Sequence, residues 1–177
     1  MQLETPHGPL TLRPFVLEDL DRYRALRLEA LQRHPEVSGG DHDTEAAQSD
    51  GDWQARAARM LSPGSLAMFV AENDGKLVGM TGIFRGHAPK MSHTATIYSV
   101  YVRASWRGSR ITDHLIQLCL DWARPLGVNM VYLAVITQNS SAIRCYARCG
   151  FSVYGLQPAV IFHAGQYHDE LLMMRRI

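Results

Sequence analysis

Within this chain of 177 residues, Arg107-Gly108-Ser109-Arg110-Ile111-Thr112 is the segment whose residue types and spacing speak most directly of chemistry. It follows an apolar run, Thr94 to Val102, that is rich in β-branched and aromatic residues and reads as a central strand. It precedes Ile111, Leu115, Leu118, Cys119 and Trp122, an apolar stripe at helical spacing. A basic turn between strand and helix is suited to anion binding. The first N–H groups of a helix have no partner within it, and its dipole places partial positive charge there. Successive amides in a tight turn can form a concave nest, and Arg107 and Arg110 add charge at the same place. Because Arg and Gly are common in such connections, the turn alone is a modest signal for phosphate.

About thirty residues further on, Asn139 opens a short helix that Gly150 closes, and Tyr146 lies on it. The elements that must position these groups are legible from pattern. Leu10 to Arg13 alternates and is ended by Pro14; Glu18 to about Arg33 has helical spacing and stops at His34-Pro35. Glu36 to Asp52 holds six acids, three glycines and no Lys or Arg, and is expected to be loop; Trp53, Ala57, Met60 and Leu61 mark a second helix. Leu66 to Ala71 and Lys76 to Phe84 flank Asn73-Asp74-Gly75, a strong hairpin signal. Met130 to Ile136 is a buried strand, and Phe151 to Tyr154 and Asp169 to Met174 are expected as the last two, with a turn at Gly165-Gln166. The order β-α-α-β-β-β-α-β-α-β-β describes an α/β (α+β) protein, a mixed sheet with helices on its faces, in one domain over residues 1–177.

Val100-Tyr101-Val102-Arg103-Ala104-Ser105-Trp106-Arg107-Gly108-Ser109-Arg110-Ile111-Thr112 resembles the coenzyme A-binding segment of the GNAT superfamily of N-acetyltransferases. Asn139-Ser140-Ser141-Ala142-Ile143-Arg144-Cys145-Tyr146-Ala147-Arg148-Cys149-Gly150-Phe151 resembles the second cofactor segment of the same superfamily. Both occur in the right order, and the element order also resembles the GNAT fold. The resemblance implies a strand ending at Val102 that splays from Met130–Ile136 to admit the pantetheine of acetyl-CoA. It implies cofactor contacts at Val100, Tyr101, Val102, Arg107, Gly108, Ser109, Arg110, Ile111, Thr112 and Asn139. Arg110 and Thr112 depart from the family pattern, which has glycine or alanine there. Arg110 is expected to keep an ordinary negative φ and point outward, and Thr112 to offer a hydroxyl to the pyrophosphate or the first helical turn.

The implied reaction is acetyl transfer from acetyl-CoA to a primary amine of a small molecule or peptide. Tyr146 is the candidate general acid by the same resemblance, although its spacing from Ile143 equally suits a core aromatic. A phenol of pKa ~10 protonates a nascent thiolate of pKa ~8.5 only when the transfer is coupled to bond breaking. A backbone N–H near Val100 would serve as oxyanion hole. The strand Thr94–Val102 has no carboxylate, so the general base is open between His93, Glu72 and a water chain. The implied acceptor pocket falls around Leu17–Leu61 and Leu156–His168. The acids Glu36, Asp41, Asp43, Glu45, Asp50 and Asp52 either draw a cationic amine to it or are a solvated loop. Tyr23 to Leu31 and Tyr167 to Met173 resemble a bacterial GNAT subgroup without naming an amine. A CoA-binding sensor without turnover, and a transferase of longer acyl groups, are the alternatives.

Composition narrows the partners. A formal charge of +1 gives no electrostatic reason for nucleic acid. No apolar stretch reaches the ~18–20 residues of a membrane span, and the start lacks the basic flank and apolar run of a secretory signal. Three cysteines, with Cys145 and Cys149 one helical turn apart, fit a reducing compartment and a cytoplasmic location. The eight histidines follow no metal-ligand spacing, and no metal is expected. The expected partners are acetyl-CoA and an amine, without membrane or nucleic acid, and with a homodimer as the one assembly considered.

Overall fold

The computed structural model describes residues 1–37 and 39–177. Its elements are β1 (Gln2–Thr5), β2 (Gly8–Pro14), α1 (Leu20–Arg33), α2 (His42–Ala46), α3 (Asp50–Met60), β3 (Leu66–Asn73), β4 (Lys76–Arg85), β5 (Thr94–Val102), α4 (Ile111–Ala123), β6 (Met130–Ile136), α5 (Ser140–Arg148), β7 (Ser152–His163) and β8 (Gln166–Arg176). One sheet holds the strands in the order β1-β2-β3-β4-β5-β6-β8-β7. Every pairing is antiparallel except β5 with β6.

Alternation along the central strands divides the core between two faces. Phe69 and Ala71 of β3 belong to the cluster around α4, whereas Met68 and Val70 belong to the cluster with Tyr23, Leu26 and Trp53 of α1 and α3. The β3–β4 turn has Asp74 at φ 45° and Gly75 at φ 74°, the left-handed pair that a two-residue hairpin needs.

Three expectations are corrected. The first strand is preceded by another, β1, which pairs Leu3 with Leu10. The acid-rich stretch is not loop throughout. Asp41 Oδ1 accepts from Thr44 N at 2.8 Å to start α2, and Ser49 and Asp52 cap α3 reciprocally. The last two strands are far longer than expected. Gly155 and Pro158 punctuate β7 in the sequence, yet the strand continues through a bulge between Gln157 and Ile161. Ala159 there is left-handed (φ 51°), and its N–H donates to Asp169 Oδ1 at 2.8 Å.

Candidate active site

The parallel pair β5–β6 holds together for only three residues, Thr94 to Thr96 against Met130 to Tyr132. Beyond them the strands diverge, and a cleft of about 720 Å³ opens between them. On its other side β5 is bulged: Met80 pairs with Tyr101 and Gly82 with Tyr98, so an extra residue stands opposite Thr81. Ser99 takes the strain of this bulge at φ 51°. Gly82 is required beside it, since a Cβ would lie 2.5 Å from the Tyr98 ring.

The Arg107–Thr112 turn closes one end of the cleft. Gly108 (φ 86°) and Arg110 (φ 55°) are both left-handed. Arg110 was expected to keep a negative φ. The chain instead reverses into α4 at this residue, with Arg110 as N-cap, and the side chain bears a conformation that glycine adopts more readily. The first helical bond is His114 N to Arg110 O at 3.3 Å. Among the described residues the N–H groups of Gly108 through Asp113 have no acceptor. Six successive bare donors at the start of a helix form a site for a diphosphate. Arg107, Arg110, Arg144 and Arg148 line the same end, against the single carboxylate of Asp113. Burial pushes that carboxyl upward, but the bidentate pairing with Arg148 (3.0 and 3.2 Å) and the Cys145 thiol outweigh it and hold it below its ordinary value.

Of the residues expected to touch the cofactor, all but Ser109 line the cleft. Two are partly committed elsewhere. The Tyr101 hydroxyl donates to Glu29 Oε1 at 2.9 Å, and burial followed by this bond pushes its pKa up to about 12. The Val102 carbonyl accepts from Arg107 Nε at 3.1 Å. Asn139 is the N-cap expected of it, its Oδ1 accepting from Ala142 N at 3.1 Å.

Tyr146 packs in the core and also lines the cleft. Its ring lies edge-on to Phe151, while its hydroxyl makes no hydrogen bond among the described residues. Burial raises its pKa above the ordinary phenol value, so it is protonated at neutral pH. The base candidates fare differently. His93 is exposed at the far end of β5, six residues or about 20 Å of strand from the bulge. Glu72 is bound to Arg13 on the opposite flank of the sheet. Neither lines the cleft.

Sequence reasoning bounded the implied acceptor pocket at His168 of β8 but gave it no role of its own; it lines the cleft with a buried Nδ1 that has no partner among the described residues. Sequence reasoning also missed the role of Arg27, whose Nη1 donates to Ser99 Oγ at 3.3 Å across the bulge. Both lie in segments whose pattern marked family placement, and the long β8 that carries His168 was read too short. Asp113, Cys145 and Cys149 bring a carboxylate oxygen and two sulfurs within 4.8 Å of one another. The thiols are free, and Cys145 Sγ donates to Asp113 at 3.1 Å.

A sheet parted between two parallel strands, with a bare helix N-terminus at one end of the gap, can hold an elongated ligand that carries a diphosphate. Residues 25–151 match the model of the acetyltransferase (GNAT) family. The chain is 31% identical over 131 residues to the L-amino acid N-acetyltransferase AaaT of Escherichia coli, covering 72% of this chain and 76% of that one. Two further relatives are longer, and the matched region spans only 34% and 39% of them. Among solved structures, the GNAT-family acetyltransferase from Streptococcus pneumoniae superposes with a TM-score of 0.83 at 19% identity, covering 95% of this chain and 99% of that one. The yncA acetyltransferase from Salmonella typhimurium, solved with acetyl-CoA, gives 0.80 at 21% identity, covering 94% and 93%. The chain belongs to the GNAT family of acetyltransferases, and its class of activity is acetyl-CoA-dependent N-acyl transfer. No helix among the described residues is long and apolar enough to cross a membrane.

Proposed function

We propose that residues 1–177 form one N-acetyltransferase domain in which a primary amine of a small molecule or peptide attacks the thioester directly, with Tyr146 as general acid. The observation that carries this reading is the run of unpaired amides from Gly108 to Asp113, all but Ser109 in residues lining the cleft that Tyr146 also lines. The amides and their flanking arginines suit the pyrophosphate. The unpaired stretch of β5 beyond Thr96 suits the pantetheine amides, which leaves the thioester near the bulge and Tyr146. The amine nitrogen bonds to the acyl carbon while a bulge N–H near Val100 stabilises the developing oxyanion. The C–S bond breaks, the sulfur takes the Tyr146 proton, and the proton lost by the amine restores the phenol through water.

A reducing, cytoplasmic setting is supported by three free cysteines. A homodimer is supported by the edge strand β7, where Val153, Leu156 and Phe162 are more than half exposed. A thiol-release assay with an amine panel, run on the wild type, Tyr146→Phe and Arg107→Glu, tests the reading. Undiminished turnover in both variants removes the site assignment. Saturable CoA binding without acylation of any amine favours the sensor instead.

A further inference from the structure

Of the six acids that either draw a cationic amine or form a solvated loop, only Glu45 is used inside the fold; Asp43 is exposed beside His42, and Glu36 lines the cleft. Glu45 is buried and accepts from Arg27 Nη2 and Nε at 2.7 and 3.1 Å and from Arg56 Nη1 at 2.7 Å. Asp41 and Asp52 cap helices, and Asp50 pairs with Arg24 at 2.9 Å. On the side away from Glu36 the cleft borders a basic cavity. This second cavity, of about 260 Å³, shares Arg27, Tyr98 and Ser99 with the cleft and is lined also by Glu45, Arg56 and Arg59. Arg27, Arg56 and Arg59 line it against one carboxylate; Arg56 also donates from Nη2 to Gln48 Oε1 at 3.3 Å and lies over the Trp53 ring, while the Arg59 guanidinium has no ion pair or hydrogen bond among the described residues. The cavity therefore carries excess positive charge at its outer wall, and Ser99, the strained residue of the β5 bulge, stands where it meets the cleft.

We infer that the acceptor is a small amine that itself carries a carboxylate, held with the carboxylate between Arg56 and Arg59 and the amine at the Ser99 bulge. This rests on the acetyltransferase reading above and names its substrate class. Size agrees, because the cavity lies below the roughly 300–1,000 Å³ of sites for drug-sized ligands, so an amino acid fits and a folded peptide does not. Charge agrees as well. A carboxylate is matched by a guanidinium pair, whereas a simple cationic amine or a polyamine is repelled. The same cations favour the neutral form of a nearby amine, which is the form that attacks. That lessens the need for a carboxylate base on β5. In the reaction the nitrogen gains the acyl carbon, the C–S bond breaks, and the proton leaving nitrogen is balanced by the one gained by sulfur.

The test compares each of a panel of amino acids with its own carboxamide, for the wild type, Arg59→Gln and Arg59→Glu. Both turnover and equilibrium binding to the CoA-loaded protein are measured. The wild type is expected to favour the acid over the amide at least tenfold in kcat/KM and in affinity. In Arg59→Glu that ratio is expected to fall to about one, with CoA affinity unaltered. Arg59 is exposed on α3, so folding is not at stake, and a melting curve checks this. Equal use of acid and amide by the wild type, a ratio unaffected by Arg59→Glu, or binding of neither form overturns the inference. Acid-selective binding without turnover upholds the anion site while removing the transferase reading, so the two failures are distinguishable.

Discussion

Arg107 Nη2 lies 2.9 Å from His34 Nε2, which ties the Arg107–Thr112 turn to the C-terminal end of α1. With Nε on the Val102 carbonyl at 3.1 Å, the guanidinium is set from two sides at the mouth of the cleft. A charge so positioned needs little reordering to meet a diphosphate. Arg107→Glu is expected to weaken acetyl-CoA binding roughly 10- to 150-fold, the equivalent of a charge-assisted hydrogen bond. The melting temperature should hardly move, because the side chain is exposed. Titration calorimetry with CoA checks this; an unchanged affinity would remove Arg107 from the site.

Arg110 offers a stability test of the turn. A non-glycine residue in the left-handed region costs roughly 1–2 kcal/mol, and glycine costs roughly 0.5–1 kcal/mol of unfolded-state entropy. Arg110→Gly is therefore expected to stabilise the protein by about 0.5–1 kcal/mol, or about 1–4 °C in melting temperature for this chain length. Arg110→Ala keeps the strain while removing the charge, and should not stabilise. If both variants melt alike, the left-handed geometry at Arg110 is wrong.

The turn, the N-cap at Asn139 and the central strands were legible because each is specified locally: by a helix start, by a capping side chain, by alternation. Arg110 was misread for a physical reason. Chain reversal into α4 fixes its φ, and that is a property of the β5–α4 connection rather than of the residue. Among the acids of Glu36–Asp52 the burial of Glu45 was not legible because the arginines that pair with it lie 18 residues before it and 11 after, at Arg27 and Arg56. Pairing at such separation leaves no periodic signature. A role for His168 was not legible because Gly155 and Pro158 hid the length of the final hairpin that carries it into the cleft.

Tyr146 separates chemistry from packing. Its hydroxyl has no partner among the described residues, so Tyr146→Phe leaves no buried group unsatisfied and should change stability by less than about 0.5 kcal/mol. Loss of a general acid should lower kcat by about 10²- to 10⁴-fold with the acetyl-CoA KM nearly constant. Steady-state kinetics together with a melting curve distinguish this from a structural role, in which stability would fall and kcat would not.

Glu45 links the acceptor wall to pH. Burial pushes its carboxyl upward, but the hydrogen bonds and charges of Arg27 and Arg56 prevail and hold it below the ordinary value of 4.5. A carboxyl depressed by folding contributes stability that is present above its unfolded value and lost as pH falls through the folded one. At neutral pH, Glu45→Gln leaves two guanidiniums without their anion and should cost about 2–4 kcal/mol. In acid below the folded value the wild-type side chain is itself neutral, and the two proteins should converge. Asp19 and the other carboxylates titrate in both, so the difference isolates Glu45. Urea midpoints at neutral pH and at successively lower pH, down to where the gap closes or the fold is lost, measure it. A gap that stays the same across these pH values would mean that Glu45 is held by packing rather than by charge.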